Sequence, residues 1–153
     1  MIRLALAVYA LGLLAYPLWC LVSLDDYRVN LEDFHGAAEA TAAQLQMAAG
    51  IHWLKNAYLA YAVLLLARYV GAPLRRGDVS RAGGLLMGFP VVELVYQVLA
   101  QVALAQDPEE LELHIQLSPE LLLFVMLGLG LIGIARTLAS PTTEAPDRGA
   151  GSD

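Results

Sequence analysis

The chain has 153 residues, of which 58% are hydrophobic and 16% are charged, and its net charge is −6. Soluble domains carry about a quarter charged residues, so this composition excludes an ordinary water-soluble domain and gives no indication of nucleic-acid binding. The apolar residues are concentrated in four blocks of about 20 residues, the length that crosses a bilayer. The sequence therefore predicts an integral membrane protein.

The four blocks predict an all-α membrane protein built as a four-transmembrane-helix bundle. They lie at about 3–23, 49–69, 83–105 and 119–139. The predicted helical domain spans 1–139, with outer loops at 24–48 and 106–118. Residues 140–153 are polar and rich in proline and glycine, so we expect a disordered cytoplasmic tail.

Charged residues are sorted between the two ends of the predicted bundle. Basic residues lie before the first block, between the second and third, and after the fourth: Arg3, Arg68, Arg75, Arg76, Arg81 and Arg136. The other two loops are acidic and contain Asp25, Asp26, Glu32, Asp33, Glu39, Asp107, Glu109, Glu110 and Glu112. Because positive residues stay on the cytoplasmic side, we expect a multi-pass inner-membrane protein with both termini in the cytoplasm.

Two stretches of the outer loops alternate between apolar and polar residues. These are "YRVNLE" at 27–32 and "LELHIQL" at 111–117. A period of two residues indicates strands, and both stretches emerge on the same side of the membrane. The sequence therefore predicts a small two-stranded extracytoplasmic β element over the bundle.

Two stretches of the sequence, at 37–50 and 118–120, indicate where helices begin. Residues 37–50 are rich in alanine and favour a helix, either as a separate surface helix or as an outward extension of the second transmembrane helix. Gly36 and Gly50 are the two possible joints, and both readings stay open. The sequence "SPE" at 118–120 predicts the start of the fourth helix, with Ser118 as its N-cap.

Polar side chains interrupt two of the blocks at spacings that place each group on one helix face: His52, Lys55 and Asn56 on the second helix, and Glu93, Gln97 and Gln101 on the third. If these helices form an antiparallel hairpin, the two polar stripes meet at the same depth. Ionisable groups within the membrane usually find partners. We therefore predict that Lys55 turns inward and pairs with Glu93, directly or through Gln97.

This polar cluster has three possible roles. It can act as an interhelical clamp, or Lys55 can extend its ammonium outward to the membrane surface. Alternatively, the cluster lines a polar cavity for a proton, an ion or a small ligand. The sequence favours the two structural roles over the conduit.

Glycines on the last two helices predict close helix contacts. Gly84 and Gly88 have small-xxx-small spacing, and Gly128, Gly130 and Gly133 give the fourth helix a smooth patch. We expect packing within the bundle, with a dimer seam as the alternative. The lone Cys20 excludes an internal disulfide and is interpreted as a buried apolar residue.

No motif in the chain indicates catalysis. A nucleophile elbow, a phosphate-binding loop and a zinc-protease helix are all missing from the sequence. The acidic and histidine residues at 32–35 and 110–114 match no compact metal-site spacing. We therefore predict a protein that is not an enzyme and has no cofactor or metal.

Two segments carry a resemblance to a known family. The loop "LARYVGAPLRRGDVSRAGGLLMG" and the run "LELHIQLSPELLLFVMLGLGLIGIA", together with the spacing of the blocks, resemble a bacterial family of four-span membrane proteins called domain of unknown function 2975. The resemblance covers roughly residues 60–139. It implies an inner-membrane location and often a genomic neighbour that is a small helix-turn-helix regulator. It brings no catalytic residues.

The expected role is that of an accessory or interaction subunit of a membrane complex. Its partners would be the lipid bilayer and either another membrane protein or further copies of itself. The alternatives are a transporter or channel-like element built around the polar cluster, and a sensor whose outer loops bind a ligand.

Overall fold

The structure is a computed structural model that describes residues 1–31, 38–69, 76–105 and 113–137. These residues form five helices, which are α1 (Ile2–Val22), α2 (Leu24–Asn30), α3 (Ala42–Tyr69), α4 (Arg76–Leu104) and α5 (Glu120–Thr137). The predicted tail at 140–153 lies outside the described residues.

The four long helices lie in a row that follows the chain order. α1 packs against α3, α3 against α4, and α4 against α5. Neighbours run in opposite directions: the amide of Gln44, near the start of α3, bonds the carbonyl of Ala105 just after α4. In the described part of the chain, α1 and α5 each pack closely against a single long helix. The two ends of the row therefore expose broad apolar faces.

The prediction of four transmembrane helices is not supported. Within the described residues, three helices are long and apolar enough to cross a membrane, namely α1, α4 from Gly77, and α5. α3 has 28 residues, so it is long enough, but its composition is too polar. Since α3 lies between α1 and α4, its central polar side chains His52, Lys55 and Asn56 are turned toward protein.

The predicted two-stranded β element is also wrong. No strand is present in the described ranges, and the first alternating stretch belongs largely to α2. Tyr27 and Leu31 are four residues apart and both are buried, which is the spacing of one helix face. Asp25 and Asp26 occupy the first turn of α2, where acidic groups favour the helix dipole. Residues 32 and 111–112 lie outside the described chain.

Residues 113–118, which cover most of the second alternating stretch, belong to no helix or strand, and bonding through the N–H and C=O of both His114 and Gln116 indicates an extended chain. Its backbone is bonded to side chains of α4, as described below. We call residues 113–118 the extended segment. The prediction of a strand at this stretch is therefore wrong for residues 113–117, which bond helix side chains.

The structure also settles how α3 begins. The helix starts at Ala42 and continues through Gly50 without interruption, so residues 42–50 of the alanine-rich run extend the second predicted helix. Thr41 and Gln44 form a reciprocal cap: the Gln44 amide oxygen accepts from the Thr41 N–H at 2.9 Å, and Thr41 Oγ1 accepts from the Gln44 N–H at 3.4 Å. This T-x-x-Q capping box fixes the first turn.

Candidate functional site

The ion pair between Lys55 and Glu93 joins α3 to α4. Lys55 Nζ lies 3.1 Å from Glu93 Oε2, and the two side chains are 14% and 16% exposed. The ammonium also lies 4.1 Å from the centroid of the Tyr96 ring, an arrangement that adds a cation–π attraction. The predicted pairing is confirmed, and it is direct. Lys55 therefore turns inward instead of extending to the surface.

His52 lies one turn before Lys55 and contacts three tyrosines from three other helices. The centroid of its ring is 6.0 Å from that of Tyr16 on α1, 5.9 Å from that of Tyr27 on α2 and 5.2 Å from that of Tyr96 on α4. Burial raises the pKa of the Tyr27 hydroxyl above its ordinary value, so this phenol stays neutral. These ring contacts join α1, α2 and α4 to α3.

Asn56 does not join the cluster that the sequence predicted. Its side-chain amide donates to the backbone carbonyl of Leu13 on α1 at 3.0 Å. Consecutive residues are about 100° apart around a helix of 3.6 residues per turn, so Lys55 faces α4 whereas Asn56 faces α1. The polar face of α3 is thus divided between its two neighbours.

Gln97 and Gln101 bind the backbone of the extended segment. The Gln101 amide accepts from the His114 N–H at 2.7 Å and donates to the His114 carbonyl at 2.8 Å. The Gln97 amide makes the same pair of bonds with Gln116, both at 2.9 Å. We call these four hydrogen bonds the glutamine ladder. Each glutamine takes the place that a residue of a neighbouring strand would occupy.

The glutamine ladder depends on a match between two backbone repeats. Residues four apart on a helix rise about 6.0 Å, and residues two apart on a strand rise about 6.6 Å. Gln97 and Gln101 are four apart, and His114 and Gln116 are two apart. Two helix side chains can therefore bond two alternate residues of an extended chain with little distortion.

The ion pair and the glutamine ladder form one network. Gln97 Nε2 lies 3.5 Å from Glu93 Oε1, and Gln101 Nε2 also donates to the Gln97 carbonyl at 3.2 Å. Gln97 and Gln101 are both buried. The network thus runs from Lys55 on α3, through α4, to the extended segment, and every member has a partner within the protein.

The glycine predictions hold at two of the five positions. A Cβ on Gly128 would lie 2.6 Å from the Gly83 carbonyl and 2.5 Å from Met87 Cγ, and one on Gly88 would lie 2.6 Å from the Tyr58 hydroxyl. A Cβ on Gly84, Gly130 or Gly133 would meet nothing within 4 Å. α4 and α5 therefore cross at Gly83 and Gly128, and sequence reasoning chose the wrong one of two adjacent glycines on α4.

Several contact residues were missed by sequence reasoning. The three tyrosines around His52 carry no signal of position, because tyrosine is common in membrane helices. Tyr58 donates to the Leu85 carbonyl at 2.9 Å, and no sequence pattern predicts this bond either. The capping box of Thr41 and Gln44, by contrast, could have been found from its spacing.

An open cavity of about 460 Å³ lies beside α2. Its lining includes Asp25, Asp26 and Arg28 together with apolar residues of α1 and α3. The Arg28 guanidinium donates to the carbonyls of Ala38 and Ala40 at 3.2 and 3.1 Å, so it also fixes the chain before α3.

Comparisons with known proteins give no relative. No family model matches the chain, and no curated protein or solved structure matches it. In the part of the chain that the structure describes, no group of three histidine, cysteine or acidic residues is placed to hold a metal ion.

Proposed function

We propose that this membrane protein is a non-catalytic accessory or interaction subunit of a larger membrane complex. The observation that carries the proposal is the pairing of Lys55, Glu93, Gln97 and Gln101 with groups inside the protein. Lys55 is paired with Glu93, and both glutamine amides are bonded to the backbone of the extended segment. Polar groups paired in this way stabilise the packing of α3, α4 and the extended segment, which favours a structural role over a conduit.

The exposed surfaces support the same proposal. α1 and α5 have large apolar side chains on their outer faces, among them Tyr9, Trp19, Leu122 and Met126. These faces suit lipid or a neighbouring helix. The extended segment adds a surface that is not helical, at the end of the bundle where α4 ends.

The proposal includes an orientation in the bacterial inner membrane, with the N-terminus and the C-terminus in the cytoplasm. The alternating directions of the four long helices bring Ile2 and Thr137 to the same end of the row. Arg3, Arg68 and Arg136 lie toward that end, and positive residues favour the cytoplasmic side. Membership of the bacterial family called domain of unknown function 2975 belongs to the same proposal.

The test is crosslinking in intact cells, followed by mild detergent extraction and mass spectrometry of the proteins that co-purify. A foreign membrane protein recovered in a fixed ratio would support the proposal. Recovery of the protein alone, or only with copies of itself, would overturn it.

A sensor is the second candidate, and the cavity beside α2 favours it. The cavity is open and combines carboxylates with an apolar wall, so a small amine is the ligand class that fits. Thermal unfolding of the purified protein in the presence of spermidine or choline tests this role. An unchanged transition temperature of the wild type with both amines would count against this role, and so would a rise that persists in the Asp25→Asn variant.

A further inference from the structure

The extended segment has one bonded edge and one open edge. The N–H and C=O groups of His114 and Gln116 point toward α4 and bond the glutamine ladder. Neighbouring residues of an extended chain direct these groups to opposite edges, so those of Leu113, Ile115 and Leu117 point away from α4. None of these three residues has a backbone hydrogen bond within the described chain. An unpaired edge of this kind is a template for another strand.

The side chains of the open edge form an apolar ridge. Leu113, Ile115 and Leu117 alternate along the segment, so they lie on one face of it, and they are 49%, 51% and 72% exposed. In strand addition, backbone bonds supply affinity and alternate side chains supply specificity. This edge offers both.

The glutamine ladder holds the segment extended before any partner arrives. Four hydrogen bonds fix the backbone of His114 and Gln116 on α4, which is itself packed between α3 and α5. A binding surface that is already ordered avoids much of the entropy cost of association. The open edge is therefore a rigid template.

The sequence charge of two connecting stretches favours one kind of partner. The connecting sequences 23–41 and 105–119 contain five and four acidic residues, and Arg28 is the basic residue among them. The Arg28 guanidinium is bonded to two backbone carbonyls. Complementary charge attracts a basic segment, whereas two copies of this chain would bring acidic loops together.

We infer that the open edge of residues 113–118 docks a basic, extended segment of another protein, which adds to it as a β-strand. This inference rests on the proposed interaction role and specifies its surface and its partner. The partner strand would bond the backbone of Leu113, Ile115 and Leu117 and pack apolar side chains against their ridge.

The experiment uses the full chain in nanodiscs of uncharged lipid and a dye-labelled peptide of eight residues that alternates lysine with valine. Fluorescence anisotropy measures its affinity for the wild type, for Ile115→Val and for Ile115→Pro. Proline removes the N–H on the open edge and leaves those of His114 and Gln116. A lost hydrogen bond of about 1 kcal/mol corresponds to about a five-fold weaker affinity, so we expect at least that loss for Ile115→Pro and little change for Ile115→Val.

Two further peptides keep the result decisive if proline disturbs the segment. The first is the same peptide with methyl groups on alternate backbone nitrogens, which cannot pair with a strand edge. The second replaces each lysine by glutamate. We expect both to bind the wild type at least about ten-fold more weakly, equivalent to about 1.4 kcal/mol.

Equal binding of the methylated peptide would overturn strand addition, and equal binding of the acidic peptide would overturn the basic partner. A disulfide between two copies of the Cys20→Ala, Ile115→Cys double variant in cell membranes would show that a second copy occupies the edge, and would also overturn the inference. If these peptides fail while a foreign protein still co-purifies after crosslinking, only the docking edge is wrong. If the protein co-purifies alone, the proposed function is wrong as well.

Discussion

Single amide side chains do the work of a neighbouring strand in this protein. Gln101 makes two backbone bonds with His114, and Gln97 makes two with Gln116. A neutral hydrogen bond contributes about 1 kcal/mol net, and a buried group left without a partner costs about 1–3 kcal/mol. Because Gln101 is nearly fully buried, loss of its amide would leave part-buried backbone groups of the extended segment without these bonds.

We expect Gln101→Ala to release the extended segment locally. Loss of two hydrogen bonds, about 2 kcal/mol in total, should speed amide hydrogen exchange at His114 by roughly thirty-fold, since about 1.4 kcal/mol is a factor of ten. Hydrogen exchange in nanodiscs measures this rate. The matched control is Gln44→Ala, which removes an amide bonded to Ala105 and should leave exchange at His114 unchanged. An unaltered rate in Gln101→Ala would show that the glutamine ladder does not hold the segment.

The effect of a substitution at the Lys55–Glu93 ion pair depends on whether one partner or both are replaced. Removing one member of a buried pair leaves an uncompensated charge and costs about 3–5 kcal/mol, whereas replacing both with apolar residues is often neutral or stabilising. We therefore expect Lys55→Met to lower the free energy of unfolding by about 3–5 kcal/mol. The double variant Lys55→Met, Glu93→Leu should recover most of that loss.

Steric trapping in micelles measures the free energy of unfolding of both variants. A single variant as stable as the wild type would contradict the clamp. Partner recovery after crosslinking separates the two roles of the cluster. If the ion pair is only a structural clamp, the double variant keeps its partner protein. If the charges themselves are needed for function, the double variant loses the partner protein.

At the scale of elements, one close crossing positions α5 on α4. A Cβ on Gly128 would lie 2.9 Å from the Met87 backbone nitrogen and 2.6 Å from the Gly83 carbonyl. Backbone atoms cannot move aside as a flexible side chain can, so the helices would have to separate. The crossing also fixes how far along α4 the first residue of α5 lies. Glu120 is eight residues before Gly128 and is therefore level with about residue 91 of α4.

We expect Gly128→Ala to destabilise the packing of α5 on α4 by about 1–3 kcal/mol, the usual cost of overpacking. Gly130→Ala is the matched control on the same helix, because its Cβ would meet nothing within 4 Å. Thermal unfolding in detergent compares the two variants. Equal transition temperatures would indicate that α4 and α5 do not cross at Gly128.

At the scale of the whole molecule, the length of α5 indicates how deep the glutamine ladder lies in the membrane. α5 has 18 residues, or about 27 Å at 1.5 Å per residue, close to the hydrocarbon thickness of about 30 Å. α4 continues about 13 residues, or about 20 Å, beyond the level of Glu120. The glutamine ladder and the open edge therefore lie toward one membrane surface, where a partner can reach them.

The orientation of the molecule can be tested with cysteines in a Cys20→Ala background. In the proposed orientation the end of the molecule that carries Leu113 faces outward, so we expect Leu113→Cys to react with a membrane-impermeant maleimide in intact spheroplasts. Thr137→Cys should react only after the membrane is permeabilised, because it lies at the arginine-rich end. Labelling of Thr137→Cys in intact spheroplasts would reverse the proposed orientation.

The sequence by itself determined the class of the protein and the location of its long helices. Runs of apolar residues and their flanking charges are local properties, so the cores of α1, α4 and α5 were predictable, as was the bond from the Glu120 N–H to Ser118 Oγ at the start of α5. The meeting of Lys55 with Glu93 was predictable too, because one antiparallel hairpin brings two polar stripes to similar depths. The row of helices, the crossing at Gly83 and the extension of α3 needed the structure.

Only the tertiary structure decided what the alternating stretches and the polar side chains do. Period two around Tyr27 gave way to α2: Tyr27 and Leu31 are buried, whereas Val29, which would share their face in a strand, is 63% exposed. The pattern at 111–117 produced an extended chain without a second strand, since Gln97 and Gln101 supply equivalent bonds from a helix. A sequence gives the order and polarity of its side chains, whereas the partner of each polar group depends on which distant residues the packing brings within about 3 Å.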